Sequence, residues 1–160
     1  MEIFLTILAG AGTFVFGQIL LKLIIEPVQA MKNVIAEIAH KLILYANVYA
    51  NPKTLEDEKQ AEASKEFRIL SSKLQSAMYL VPAYGVTSKL FGLPSQDLIS
   101  KASKGLIGLH NGHDHVLANQ GILNCYSAQR VREALSIYIP EGERLDPAHE
   151  KEFIKTKQFS

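Results

Sequence analysis

Arg144 and His149 stand five positions apart, a fixed cation and a titratable imidazole close together in the chain, and so a pair to weigh as catalytic. Four arginines and five histidines produce such a spacing readily by chance, and Pro147 between the two breaks any regular helix there. Enzymatic chemistry is therefore not the expectation, and the pair stands as a candidate only. A second cluster, His110, His113 and His115 with Asp114, is spaced so that a flexible loop could wrap zinc or nickel. It reproduces no hydrolase spacing, Cys125 lies ten residues beyond it, and an exposed histidine-rich loop costs little, so no metal or other cofactor is expected. Cys125, the single cysteine, excludes an internal disulfide and reads as a small buried hydrophobe in a reducing compartment. His40 falls on the polar flank of a helix. No Gly-x-Gly-x-x-Gly, Walker lysine loop, Gly-x-Ser-x-Gly elbow or His-Glu-x-x-His is present, and the acidic pair Glu56 and Glu58 lies in a solvated run.

The remaining candidate residues do their chemistry in lipid. Thr6, Gly10, Thr13 and Gly17 recur at i, i+4, i+7 and i+11, on one helical face, and small residues let backbones approach closely where oily side chains supply no drive to associate. Gln18 adds an uncharged amide beside them that seeks an interhelical partner or a wet cavity. These five residues are the expected contact face for a second copy of the chain, and the expected lining if copies enclose a pore.

The element that positions them is decided by charge. Ile3 to Leu21 holds nineteen residues without a charged side chain, close to the ~20 needed to cross a bilayer core. A cleaved signal is the rival, but no basic stretch precedes the run and no clean Ala-x-Ala follows it. The expectation is a single-pass helix over residues 3–25. Lys22, Lys32 and Lys41 follow the span and no basic side chain precedes it, which places the amino terminus outside and the body in the cytoplasm. After the anchor the 160-residue chain leaves enough for one small domain, 26–140, and a charged, loosely held tail, 141–160. A formal charge of +1 gives no field that demands nucleic acid, and no small-molecule substrate is evident.

The body reads as all-α. Leu21, Ile24, Val28, Met31, Ile35, Ile38, Leu42, Tyr45 and Tyr49 step by three or four, so one helical stripe crosses the membrane boundary, with Pro27 either kinking it or starting a second helix. If residues 3 to 50 are helical nearly throughout, the rod approaches ~70 Å. Thr54 and Asp57 resemble a capping box for a helix over 55–81 with Ala63, Phe67, Leu70, Leu74, Ala77 and Val81 inward. A short helix at 86–91 follows, then a helix capped by Ser95 with Leu98, Ala102, Leu106 and Leu109 on one side. Residues 110–115 form a loop. The segment 116–139 is expected to turn Leu123, Val131, Leu135 and Tyr138 inward, with Ser127 capping its more regular part, and a short helix is expected at 147–157.

Three stretches, Glu37-Ile-Ala-His-Lys-Leu-Ile-Leu-Tyr-Ala-Asn, Lys65-Glu-Phe-Arg-Ile-Leu-Ser-Ser-Lys-Leu and Ala102-Ser-Lys-Gly-Leu-Ile-Gly-Leu, resemble a group of small bacterial proteins with one N-terminal membrane helix and a divergent HEPN-like helical domain. The group includes the membrane accessory protein of type VI-B CRISPR systems. The resemblance covers most of residues 3–138 and implies a bacterial inner-membrane homo-oligomer acting in antiviral defence. Its copies would form a pore or disturb the membrane on activation, with a protein or an RNA-guided partner as the trigger. Arg144 and His149 match the group's late arginine-x4-histidine motif, while Pro147 departs from an active ribonuclease pattern. A membrane-tethered HEPN-like ribonuclease and a tethered scaffold that recruits another defence component are the alternatives.

Overall fold

The computed structural model describes residues 1–114 and 119–155. All regular structure among them is helical: α1 (Glu2–Leu20), α2 (Glu26–Leu44), α3 (Ala46–Ala50), α4 (Glu58–Leu80), α5 (Tyr84–Phe91), α6 (Gln96–Asn111), α7 (Gln120–Ala134) and α8 (Pro147–Lys155). Leu21–Ile25 joins α1 to α2 as a single wide π turn, so Glu2–Leu44 is one unbroken helix of 43 residues. Pro27, at the start of α2, has no N–H to return to Leu23 and its ring would press on that carbonyl. Widening the preceding turn, in which Glu26 N–H donates to Leu21 O, relieves the clash without breaking the rod.

The stripe along this rod divides at the π turn. Val28, Met31, Ile38, Leu42, Tyr45 and Tyr49 are buried, whereas nothing in α1 is. The rod breaks at Tyr45, where the backbone leaves helical geometry and α3 starts afresh. Both tyrosines then reach Phe67 of α4, Tyr45 edge-on at 5.9 Å and Tyr49 at 6.3 Å between ring centres. Such aromatic pairs add about 0.5–1.5 kcal/mol beyond area burial.

Around Phe67 the chain makes a closed ring of helix pairs: α2 and α3 on α4, α4 on α6, α6 on α7, and α7 back on α3. Ala63, Phe67, Leu70, Leu74, Ala77 and Val81 of the second long helix all point into this core, as their spacing predicts. Its start differs. Asp57, not Thr54, is the cap, its carboxylate accepting Gln60 N–H at 3.1 Å and Lys53 Nζ at 2.7 Å, because residues 54–57 close a turn in which Asp57 N–H donates to Thr54 O. Ser95 caps α6 by accepting Leu98 N–H at 3.3 Å.

The last main helix departs furthest from its expected pattern. Ser127 lies mid-helix and caps nothing; its side chain packs on Gly108 of α6 and accepts from Arg130. Tyr138 is exposed and Leu123 only partly buried, while α7 buries Gln120, Asn124, Ser127 and Gln129 beside Ala128 and Val131. The 116–118 part of that segment lies outside the described residues, as does the tail beyond 155. Charge predicts a loosely held tail from 141, but here residues 141–153 run back along α7. Gln129 exchanges two hydrogen bonds with Leu145, Tyr126 donates to Asp146 O, and Arg130 and Arg132 pair with Glu150 and Glu143. The reversal is set by Ser136 in the left-handed region (φ 57°), which lets Ile137 N–H return to Arg132 O.

Helices α6 and α7 touch through Gly105, where a Cβ would sit 2.6 Å from Val131 Cγ2 and 3.2 Å from Ser127 O. Gly105→Ala is therefore expected to force the two helices apart and lower stability by about 1–3 kcal/mol, read as an earlier thermal transition by circular dichroism in detergent.

Candidate functional site

Every side chain of α1 is exposed, including Ile3 (78%), Phe4 (69%), Phe14 (67%) and Phe16 (64%). None of its apolar window is covered by the protein, so the core-helix explanation of its hydropathy does not apply. Among the described residues this is the helix long and apolar enough to cross a membrane. Along it, Thr6 Oγ1 donates to Glu2 O at 3.0 Å and Thr13 Oγ1 to Ala9 O at 2.9 Å. Each hydroxyl is thus satisfied within its own helix and adds little polarity to the face. A Cβ at Gly10 or Gly17 would meet no atom within 4 Å, so this side of the rod is an open strip of small residues. Gln18 is exposed beside it, its amide without a hydrogen bond among the described residues, in a shallow groove lined by Phe14, Val15, Ile19, Lys22 and Leu23. The one ion pair here, Lys22 with Glu26 at 2.7 Å, sits at the π turn and marks the charged end of the rod.

His110 and His113 are held by backbone partners. His110 closes α6, and its Nδ1–H lies 3.0 Å from Ser64 O while Ser64 Oγ donates to His110 O at 2.7 Å, a reciprocal lock between α6 and α4. His113, in the following loop, places Nδ1 3.1 Å from Asp114 O. His115 lies outside the described residues. Among the described residues no three metal-ligating side chains converge. Arg144 ends the turn before α8 and His149 lies in the first turn of α8, both exposed; Pro147 starts that helix, so the two residues are divided between a turn and a helix.

Cys125 is half-buried on α7, in a groove of about 560 Å³ whose walls are α2 and α3 (Ile43, Tyr49), α7 (Ala128, Arg132) and the returning strand of chain at Ile137–Leu145. Burial pushes its thiol above the ordinary cysteine range, against a smaller pull from Arg132. Sequence reasoning missed the polar seam beside it. Asn124 is 1% exposed, and its amide donates to Tyr49 O at 2.9 Å and to Gly112 O at 2.7 Å, while its oxygen accepts from Gln120 at 2.8 Å. Gln120 Oε1 is buried without a hydrogen bond among the described residues. Gln120, Asn124 and Ser127 share one face of α7 and Gln129 lies on the other, and polar residues so placed carry no hydropathy signal to announce burial.

No family model matches the chain, and neither a curated protein nor a solved structure does.

Asn124→Leu keeps the branched outline of the side chain while adding bulk, and strips two buried carbonyls of their donor, so a loss of about 1–3 kcal/mol or more is expected in the same thermal assay. Because its pKa is raised, Cys125 holds less thiolate than a free cysteine at any pH below its own pKa. Iodoacetamide labelling is expected to be slower than for a cysteine peptide at neutral pH, with the rate climbing at higher pH than the peptide's.

Proposed function

We propose that this chain is a self-associating single-pass protein of a bacterial inner membrane, with its helical body in the cytoplasm, that acts in antiviral defence by disturbing the membrane barrier. The observation that carries the reading is the wholly uncovered apolar α1, continuous with a helix whose next turns, at Val28 and Met31, are core of the body. A rod shared in this way transmits movement between lipid and bundle with no flexible joint. Lys22, Lys32 and Lys41 after the span support the cytoplasmic placement. The strip Thr6, Gly10, Thr13 and Gly17 with the unpaired Gln18 amide supports association of copies along α1, around an axis that a pore would follow. On the resemblance described above, the bundle α2–α7 is a divergent HEPN-like scaffold that receives the signal from a protein or RNA-guided partner.

Purified in detergent, the full chain is expected to behave as an oligomer by light scattering. Gly17→Leu should weaken association by about tenfold, the equivalent of about 1.4 kcal/mol, and cut dye uptake by expressing cells. Arg144→Ala and His149→Ala should leave both readouts as in the parent. Toxicity lost in those two variants with assembly intact would move the reading to the tethered ribonuclease, and a chain that stays monomeric and soluble without detergent would end it.

A further inference from the structure

Helix α5 is built inside out. Its buried side chains are Tyr84, Thr87 and Ser88, while Val86 (72%) and Leu90 (76%) face outward. The inward hydroxyls are used: Tyr84 donates to Pro94 O at 2.7 Å and Thr87 to Pro82 O at 2.6 Å. A surface helix beside water turns its apolar stripe inward, so the reversed polarity implies that the outer face of α5 meets an apolar medium. Tyr79 (80%) and Leu80 (65%), at the end of α4, extend the same outward patch, with Lys89 exposed next to Leu90. Both ends of α5 are fixed in the left-handed region, at Ala83 (φ 45°) and Gly92 (φ 65°), which holds the helix in this orientation.

The patch lies at the membrane end of the bundle. Lys41 pairs with Glu66 at 3.0 Å and Glu37 with Lys73 at 2.8 Å, so α4 runs antiparallel to α2, back toward the span. Carrying that register on sets Tyr79 and Leu80 level with residue 30, and Val28 and Met31 share one core with Met78, Val81 and Tyr84. Residue 30 is five residues past the 3–25 span, about 7.5 Å along the rod, against an interfacial layer of about 5–7 Å on each side of the hydrocarbon. We infer that α5 and the end of α4 form a second membrane contact, with Tyr79, Leu80, Val86 and Leu90 reaching into the headgroup layer and Lys89 at lipid phosphate. Such a contact is the interfacial mode of an amphipathic helix. Asp97 at the start of α6 is the nearby exposed acid outside the Lys22–Glu26 pair. This inference rests on α1 being lodged in the bilayer and adds a lateral foot that fixes the tilt of the rod.

The test uses the full chain carrying Cys125→Ser, with one new cysteine at Val86, Leu90, Leu8 or Leu55, each labelled with a polarity-sensitive fluorophore. The protein is reconstituted in vesicles of equal parts phosphatidylcholine and phosphatidylglycerol, with or without lipid brominated high on its acyl chains. Val86→Cys and Leu90→Cys are expected to lose fluorescence to brominated lipid to a degree comparable with Leu8→Cys in the span, and Leu55→Cys, at the far end of the bundle, to lose none. Quenching at Leu8 with none at Val86 and Leu90 overturns the lateral contact and leaves the span intact. Shielding of Val86 and Leu90 from aqueous iodide without quenching by lipid also overturns it and assigns the patch to a protein partner. No quenching at Leu8 overturns the span itself.

Discussion

Unbroken backbone hydrogen bonding from Glu2 to Leu44 is the constraint on which the rest of this protein depends. In an apolar surrounding a freed carbonyl or amide finds no water, so a break beside the uncovered apolar stretch of α1 would have to be satisfied by some other group. Pro27 threatens such a break one residue into α2. The π turn at Leu21–Ile25 absorbs it by giving the chain one extra residue of circumference, and the helix continues with a changed facing. The apolar stripe can therefore change partner, from no partner in α1 to the bundle core from Val28 onward, without a change of element.

That continuity sets the geometry of the whole body. With α2 planted as an extension of the rod, α4 must return along it, α6 run out again and α7 return, each contact closed by apolar side chains around Phe67. The far end of the bundle is closed by polar contacts instead: Asn124 on Tyr49 and Gly112, and Ser64 on His110. The near end carries the inverted helix α5 and its outward apolar face. One molecule thus has a polar cap, an apolar middle and an apolar foot, a gradient aligned with the axis of the rod.

Arg144 and His149 are exposed on the segment that returns along α7, and His110 and His113 are each engaged with backbone atoms. Gly10, Gly17 and Gln18 lie on α1, none of whose side chains is buried.

Sequence alone determined the all-helical class, the apolar rod and the inward faces of α2, α4 and α6, because each of these is a periodicity of hydrophobicity that a local pattern carries. It also determined the Ser95 cap, a matter of one side chain and the next turn. Tertiary structure decided the burial of the amide seam on α7, the docking of residues 141–153, the break at Tyr45 and the reversal of α5. Polar residues bury only where a distant partner such as Tyr49 O or Leu145 N–H awaits them, and no local pattern encodes a partner that far along the chain. Asp57 displaced Thr54 as a cap for a smaller reason of the same kind, since which of two neighbouring oxygens meets the first free amides depends on the turn that precedes them.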